Sequence, residues 1–157
     1  MINHFFAMVT LSVFSLNDLS PEVTVSSFHK NPAVEELVLT LCDEFDIAMV
    51  TIKIGYLPYG SELMGKALKI SDSHYVIKLN PKLKGTLLGE YVIHEMIHVE
   101  QYYSGRLKVE KNYYNFISRE GKEYRYKKDT HYWQLNHEDE AHRCWKFYRS
   151  YIRDIIL

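Results

Sequence analysis

Residues 87–103 read LLGEYVIHEMIHVEQYY, and this stretch decides the fold. Wound as a helix, it leaves almost no polar face, which is typical of a central helix buried on all sides. Ser104-Gly105 follows it and supplies a glycine for the left-handed position that commonly ends a helix. The few polar side chains of this stretch would therefore lie inside the protein, and they are the ones most informative about function.

Three of those polar residues form the pattern His-Glu-x-x-His. His94 and His98 are four residues apart, so their imidazoles share one face of the helix and can reach one Zn²⁺ at about 2.0–2.1 Å. Glu95 lies about 100° further round the helix, where it can accept a proton from a zinc-activated water. Two histidines and a glutamate would be costly in so apolar a helix without partners. The sequence therefore predicts zinc at His94 and His98, with Glu95 as general base.

A third protein ligand is expected, because a catalytic zinc is held by three protein groups and keeps one position open. The candidates lie in residues 137–142, which read HEDEAH near the start of a helix predicted over 136–155. Glu138 and Glu140 lie at opposite edges of the apolar face of that helix, so helical geometry does not choose between them. His142 follows Glu138 by one turn and could bind the metal or orient a ligand. Either glutamate could instead be a solvated carboxylate favoured by the helix dipole.

A zinc site that hydrolyses its substrate with an activated water also needs a hydrogen-bond donor, which stabilises the developing oxyanion near the open metal position. Tyr102 lies one turn beyond His98, and His131 and Tyr132 lie just before the helix that carries the third-ligand candidates. The sequence offers these three side chains as oxyanion donors and does not choose among them.

The rest of the chain predicts an α+β order around the central helix. Periodicity and turn signals predict a helix from Asn31-Pro32 to Phe45, strands at 50–56, 66–70 and 75–79, an irregular insertion or flap at 106–136, and a helix at 136–155. No repeat or linker divides the chain, so residues 1–157 are expected to form one domain.

Composition excludes several classes of protein. The chain has 157 residues, a net charge of −1, 46% hydrophobic and 25% charged residues, as expected of one ordinary globular domain. No stretch approaches the ~20 apolar residues of a membrane span. Cys42 and Cys144 are too few for a disulfide scaffold, which favours a reducing compartment.

Phe5–Phe14 has the length of a signal peptide but no preceding Lys or Arg, so residues 1–16 are a signal or, as we favour, an N-terminal strand.

The predicted insertion is basic and rich in aromatic residues. Residues 106–129 hold eight Lys or Arg against four Asp or Glu, with tyrosines interleaved. Such a pattern can follow a nucleic-acid backbone and stack on bases. The interpretation that we favour is a solvated ribbon or flap over the active site, and contact with nucleic acid is the alternative.

His94–Tyr102, followed by Gly105 and Leu107, resembles the active helix of small phage-encoded metallopeptidases, distant relatives of the SprT-like zincins. Later motifs of that family are matched in order by Gly121-Lys122, Tyr132-Trp133 and Glu138–Ala141, so the resemblance covers about residues 87–145. The resemblance implies a minimal zincin-like domain with a small, mostly antiparallel sheet, a buried active-site helix and a C-terminal helix carrying the third ligand.

The same resemblance gives the ligand role to Glu138, with Glu140 as the alternative. The chain departs from the family pattern at Asn136-His137, where the family has Pro-Trp, and at His142, where an aromatic residue is common. These departures leave His137 or His142 as further candidates for the third ligand.

Three functions fit these residues. The first is a zinc metallopeptidase acting on a protein or peptide, with an edge strand of the predicted 66–79 hairpin pairing with the substrate backbone. The second is a narrow regulatory protease that cleaves a repressor-like or DNA-bound protein. The third is a phage or virion component whose metal is only structural, but such a site has no need of Glu95. We expect an enzyme of the bacterial host cytoplasm, or of the virion if it is phage-encoded, rather than a secreted one.

Overall fold

The computed structural model of the chain describes residues 23–27 and 31–155, and its elements surround the long apolar helix. In chain order they are β1 (Thr24–Ser27), α1 (Pro32–Glu44), β2 (Thr51–Tyr56), β3 (Gly65–Ser71), β4 (His74–Leu79), α2 (Gly85–Tyr103), β5 (Leu107–Val109), β6 (Tyr113–Ile117), β7 (Glu123–Lys127), a 3-10 turn (Tyr132–Gln134), α3 (Asn136–Cys144), a second 3-10 segment (Trp145–Tyr148) and α4 (Arg149–Ile155). The predicted α+β class is confirmed. The signal or strand predicted at residues 1–16 lies outside the described residues.

The larger sheet is mixed, with the strand order β1-β2-β4-β3. β1 pairs with β2 and β2 with β4 in parallel, whereas β3 and β4 form an antiparallel hairpin. β5, β6 and β7 form a second sheet that is antiparallel throughout. Three of the five pairings are thus antiparallel, and the sequence alone does not predict the two parallel ones. The β1–β2 pairing is parallel because α1 carries the chain across between these strands.

α2 lies at the centre of the fold, as its apolar sequence predicts. It contacts α1, β3 and β4 as well as α3 and α4, and the side chains of Ile93, Met96 and Ile97 are fully buried. Its close approach to α4 depends on Gly89, since a Cβ there would lie 2.8 Å from Ile152 Cγ2. α2 therefore has neighbours on all sides, and its polar residues lie in the interior.

Two predictions about the second half of the chain are wrong. Residues 106–136 are not irregular, because β5, β6 and β7 form a ribbon in which Tyr124 and Tyr126 alternate with exposed residues. The helix predicted over 136–155 is not continuous, because a tighter 3-10 segment separates α3 from α4. α3 contacts α2, whereas α4 contacts both α1 and α2, so the break lets two short helices pack in different places.

Within the described ranges, no helix has the length and apolar character that crossing a membrane would require.

Candidate metal centre

α2 buries both histidines of the His-Glu-x-x-His pattern and brings them together. The Nε2 atoms of His94 and His98 are 3.2 Å apart, and the two rings meet edge to face with centroids 4.8 Å apart. This is the arrangement expected of two residues one helical turn apart. Both rings are held by the surrounding core, so the pair is positioned by the fold itself.

α3 adds a carboxylate to the pair. Oε2 of Glu138 lies 3.2 Å from His94 Nε2 and 3.1 Å from His98 Nε2, so the three atoms form a nearly equilateral triangle. A tetrahedral ion bound at about 2.0–2.1 Å needs donor atoms about 3.3–3.4 Å apart, which is close to the observed separations. His94, His98 and Glu138 therefore form a group that could hold a metal ion, and we name it the metal group.

Gln101 fixes the tautomer of His98. The Gln101 amide nitrogen donates to the backbone carbonyl of His137 and to Oε1 of Glu140, each at 3.1 Å. Because both partners accept, the amide oxygen is the atom that lies 2.8 Å from His98 Nδ1. Nδ1 must then carry a proton, and Nε2 of the neutral ring keeps its lone pair toward the metal group.

The three atoms of the metal group repel one another unless a proton or a cation lies among them. Burial opposes a charge on His98, but the adjacent Glu138 carboxylate outweighs it and raises the pKa of His98 to about 9. Burial would raise the pKa of Glu138, but the charge and hydrogen bonds of the histidines hold it far below its ordinary value. Burial lowers the pKa of His94. A proton on His98 thus holds the group together without metal, and a bound cation would replace it.

Glu95 is buried next to the metal group but does not belong to it. Its Oε2 atom has no hydrogen-bond partner in the described part of the chain, while the backbone N–H of Ala67 donates to the carboxylate. Burial raises the pKa of Glu95 to about 7. A carboxylate with such a pKa can take up and release a proton near neutral pH, which suits a general base.

Glu140 is also buried, but it lies outside the metal group. Its Oε1 accepts from Arg106 Nη1 at 2.8 Å and from Gln101, and its Oε2 accepts from the backbone N–H of Arg119 at 3.1 Å. Arg106 also pairs with Glu100 on α2. Glu140 therefore joins α3 to α2 and to the turn between β6 and β7, which is a structural role.

The two histidines proposed as alternative ligands lie beside the metal group. Nδ1 of His137 lies 3.0 Å from the Tyr126 hydroxyl, and its Nε2 lies 3.6 Å from Oε1 of Glu138, the oxygen that the metal group does not use. Burial lowers the pKa of His137 to about 4, so this ring is neutral near pH 7. The ring of His142 packs on that of His94 with centroids 4.7 Å apart. Both rings therefore contact members of the metal group without belonging to it.

The structure separates the three candidate oxyanion donors. Tyr132 hydrogen-bonds to Glu138, and its hydroxyl lies 3.2 Å from His142 Nε2, so it stands next to the metal group. Tyr102 is half-buried, faces the same site from α2, and burial raises its pKa to about 12. His131 is exposed, and among the described residues no hydrogen bond or ion pair joins its side chain to the group. Tyr132 is thus the best placed of the three.

The sequence analysis did not identify two residues that position the site. Gln101 lies three residues after His98, a spacing at which two side chains on a helix can touch. A polar amide within so apolar a helix is the signal that could have identified Gln101. Gly65 contacts Glu95 so closely that a Cβ at this position would lie 2.2 Å from the carboxylate oxygen. That contact crosses from β3 to α2, and nothing in the local sequence indicates it.

Comparisons of the chain with family models, with curated proteins and with solved structures find no match. The relation to the SprT-like zincins therefore stays a prediction based on the motifs of residues 87–145.

Proposed function

We propose that this protein is a zinc-dependent metallopeptidase that hydrolyses peptide bonds. The observation that carries the proposal is the triangle of His94 Nε2, His98 Nε2 and Glu138 Oε2 beside the unpartnered buried oxygen of Glu95. Two imidazoles and one carboxylate are ligands that suit Zn²⁺ and leave one position open, whereas Mg²⁺ and Ca²⁺ prefer oxygen ligands throughout. When bound, zinc would supply a Lewis acid that acidifies a water molecule and polarises the scissile carbonyl.

The residues of this chain would perform the proton transfers. Glu95 would accept the proton of the attacking water through its free Oε2 and later deliver it to the leaving amine, for which a pKa of about 7 is suitable. The Tyr132 hydroxyl, hydrogen-bonded to Glu138, would turn to donate to the developing oxyanion. His98 would stay oriented through Gln101 during both steps.

The neighbouring strand supports a peptide as the substrate. β3 is the last strand of the larger sheet, so in the described part of the chain one of its edges is unpaired. An extended polypeptide can add to such an edge by backbone hydrogen bonds. The Ala67 N–H reaches Glu95, which brings this edge to the general base.

A purely structural metal site explains these residues less well. Burying a carboxylate without a full set of partners costs free energy, and a site that only holds the domain together would gain nothing from Glu95. A regulatory protease with one natural target would need the same site residues. It would differ from a general metallopeptidase in being inactive on generic peptides.

Metal analysis and one conservative substitution test the proposal. The purified protein should bind one Zn²⁺ per chain, and His94→Ala or His98→Ala should abolish binding. Glu95→Gln should retain zinc but lose hydrolysis of an unbiased peptide library, because an amide cannot accept the proton. Glu90→Gln, on the same helix but partly exposed and 3.7 Å from Arg149, is the matched control and should cleave like the wild type. Absence of zinc uptake, or wild-type cleavage by Glu95→Gln, would refute the proposal.

A further inference from the structure

A groove of about 610 Å³ lies between two strand edges, and its lining includes Tyr102, which faces the metal group. β3 lines one side and β5 the other, and each pairs with a single strand, β4 and β6 respectively, among the described strands. Ala67 lines the groove and donates its N–H to Glu95, so the unpaired edge of β3 faces the general base. Glu95 does not itself line the groove, and a chain extended along β3 would come nearest to it at Ala67.

The groove is strongly basic. Its charged lining residues are four lysines, and no Asp or Glu lines it: Lys66, Lys69, Lys108 and Lys128. Lys69 pairs with Asp72 at 2.6 Å, whereas the other three lysines form no ion pair within the described ranges. The whole chain has a net charge of −1, so this positive charge is a local property of the groove.

The groove has the features of a peptide site rather than of a nucleic-acid site. Both walls are strand edges whose backbone groups complement another polypeptide backbone. A single-stranded nucleic acid needs exposed rings on which bases stack. The two tyrosines of the lining are half-buried instead, and Tyr114 packs against His137 and Tyr126 with centroids 5.2 Å and 6.2 Å apart.

We propose that this groove selects extended polypeptide segments rich in Asp or Glu, whose carboxylates contact Lys66, Lys108 and Lys128. The proposal rests on the proposed function, because it names the substrate class of the same site. The β3 edge would hold the segment by its backbone, and the lysines of both walls would read its side chains.

Binding without turnover tests this assignment. The full chain with Glu95→Gln, loaded with zinc, is titrated by fluorescence anisotropy with labelled peptides in which Glu alternates with Val, and with the same peptides carrying Gln for Glu. At low salt the Glu peptide should bind about tenfold more tightly, and high salt should reduce the difference. Lys66→Gln with Lys108→Gln should remove most of the preference. Lys53→Gln with Lys146→Gln, at exposed positions outside the groove, should preserve it.

Three results would overturn the assignment. The first is equal affinity for the Glu and Gln peptides, and the second is an equal loss of the preference for Glu in the groove variant and in the control variant. The third is tighter binding of oligothymidylate than of the Glu peptide, with the same dependence on Lys66 and Lys108. Equal peptide binding with normal zinc uptake and hydrolysis would refute only the groove. A wild-type chain that neither binds zinc nor cleaves peptides would refute the proposed function, whatever the groove binds.

Discussion

Replacing Gly65 by alanine should displace Glu95, the proposed general base, without touching the metal group. The new Cβ would lie 2.2 Å from Glu95 Oε1, whereas ordinary contact begins at 3.4 Å, so the oxygen must move by about 1.2 Å. Gly65 does not have a positive φ, so alanine adds bulk without backbone strain. A misplacement of about 1 Å can lower a rate about 10²-fold, which corresponds to about 2.7 kcal/mol of barrier.

The assay compares kcat with zinc affinity in one variant. We expect Gly65→Ala to lose about 10²-fold in kcat on a peptide substrate while its zinc affinity, from competition with a chromophoric chelator, is unchanged. Gly89→Ala is the matched control, because its Cβ would lie 2.8 Å from Ile152 Cγ2 in the core, away from Glu95. This control should lower Tm and leave kcat of the folded protein near that of the wild type. A wild-type kcat in Gly65→Ala would show that β3 does not set the position of Glu95.

Further predictions concern the ligands and their supports. Glu138→Ala should weaken zinc affinity by several orders of magnitude and Glu140→Ala should mainly lower Tm, whereas the reverse ranking in a zinc-competition titration would move the ligand to Glu140. Gln101→Leu should weaken zinc affinity about 10–100-fold, because the His98 ring loses its orienting partner, and unchanged affinity would contradict that role. Without zinc, the raised pKa of His98 stabilises the fold below its unfolded value of 6.5, and this contribution is lost as pH rises toward 9. The lowered pKa of Glu138 stabilises the fold above 4.5 and is lost on acidification. Urea midpoints with EDTA should therefore fall between pH 6.5 and 9, and a flat profile there would contradict the proton-held metal group.

The histidine pair of the metal group could be predicted from local spacing alone, because two residues that are four apart on a helix lie on the same face. His94, Glu95 and His98 could therefore be placed by counting along an apolar helix. The choice between Glu138 and Glu140 could not be made that way. It depends on the rotation of α3 against α2, and that rotation is fixed by Arg106, which pairs with Glu140 across 34 residues of sequence.

The parts of the fold that escaped prediction depend on distant partners in the same way. β1 pairs only with β2 among the described strands, and although Thr24 and Val25 favour a strand, four residues are too short a run to identify one from sequence. In the ribbon, by contrast, the period-two alternation around Tyr124 and Tyr126 was present in the sequence. The surrounding lysines and arginines masked it, since both faces of a half-exposed ribbon are largely polar.

The contact between Arg106 and Glu140 has a consequence for how the protein would fold and exchange a metal ion bound at the metal group. The metal group closes a loop of 40 residues between His98 and Glu138, and the entropy lost in closing such a loop must be recovered from contacts at its ends. Arg106 and Glu140 close nearly the same loop with the protein's own charges, at 2.8 Å. Because this contact needs no ion, a chelator should withdraw a bound ion without releasing α3, and reloading should need no refolding.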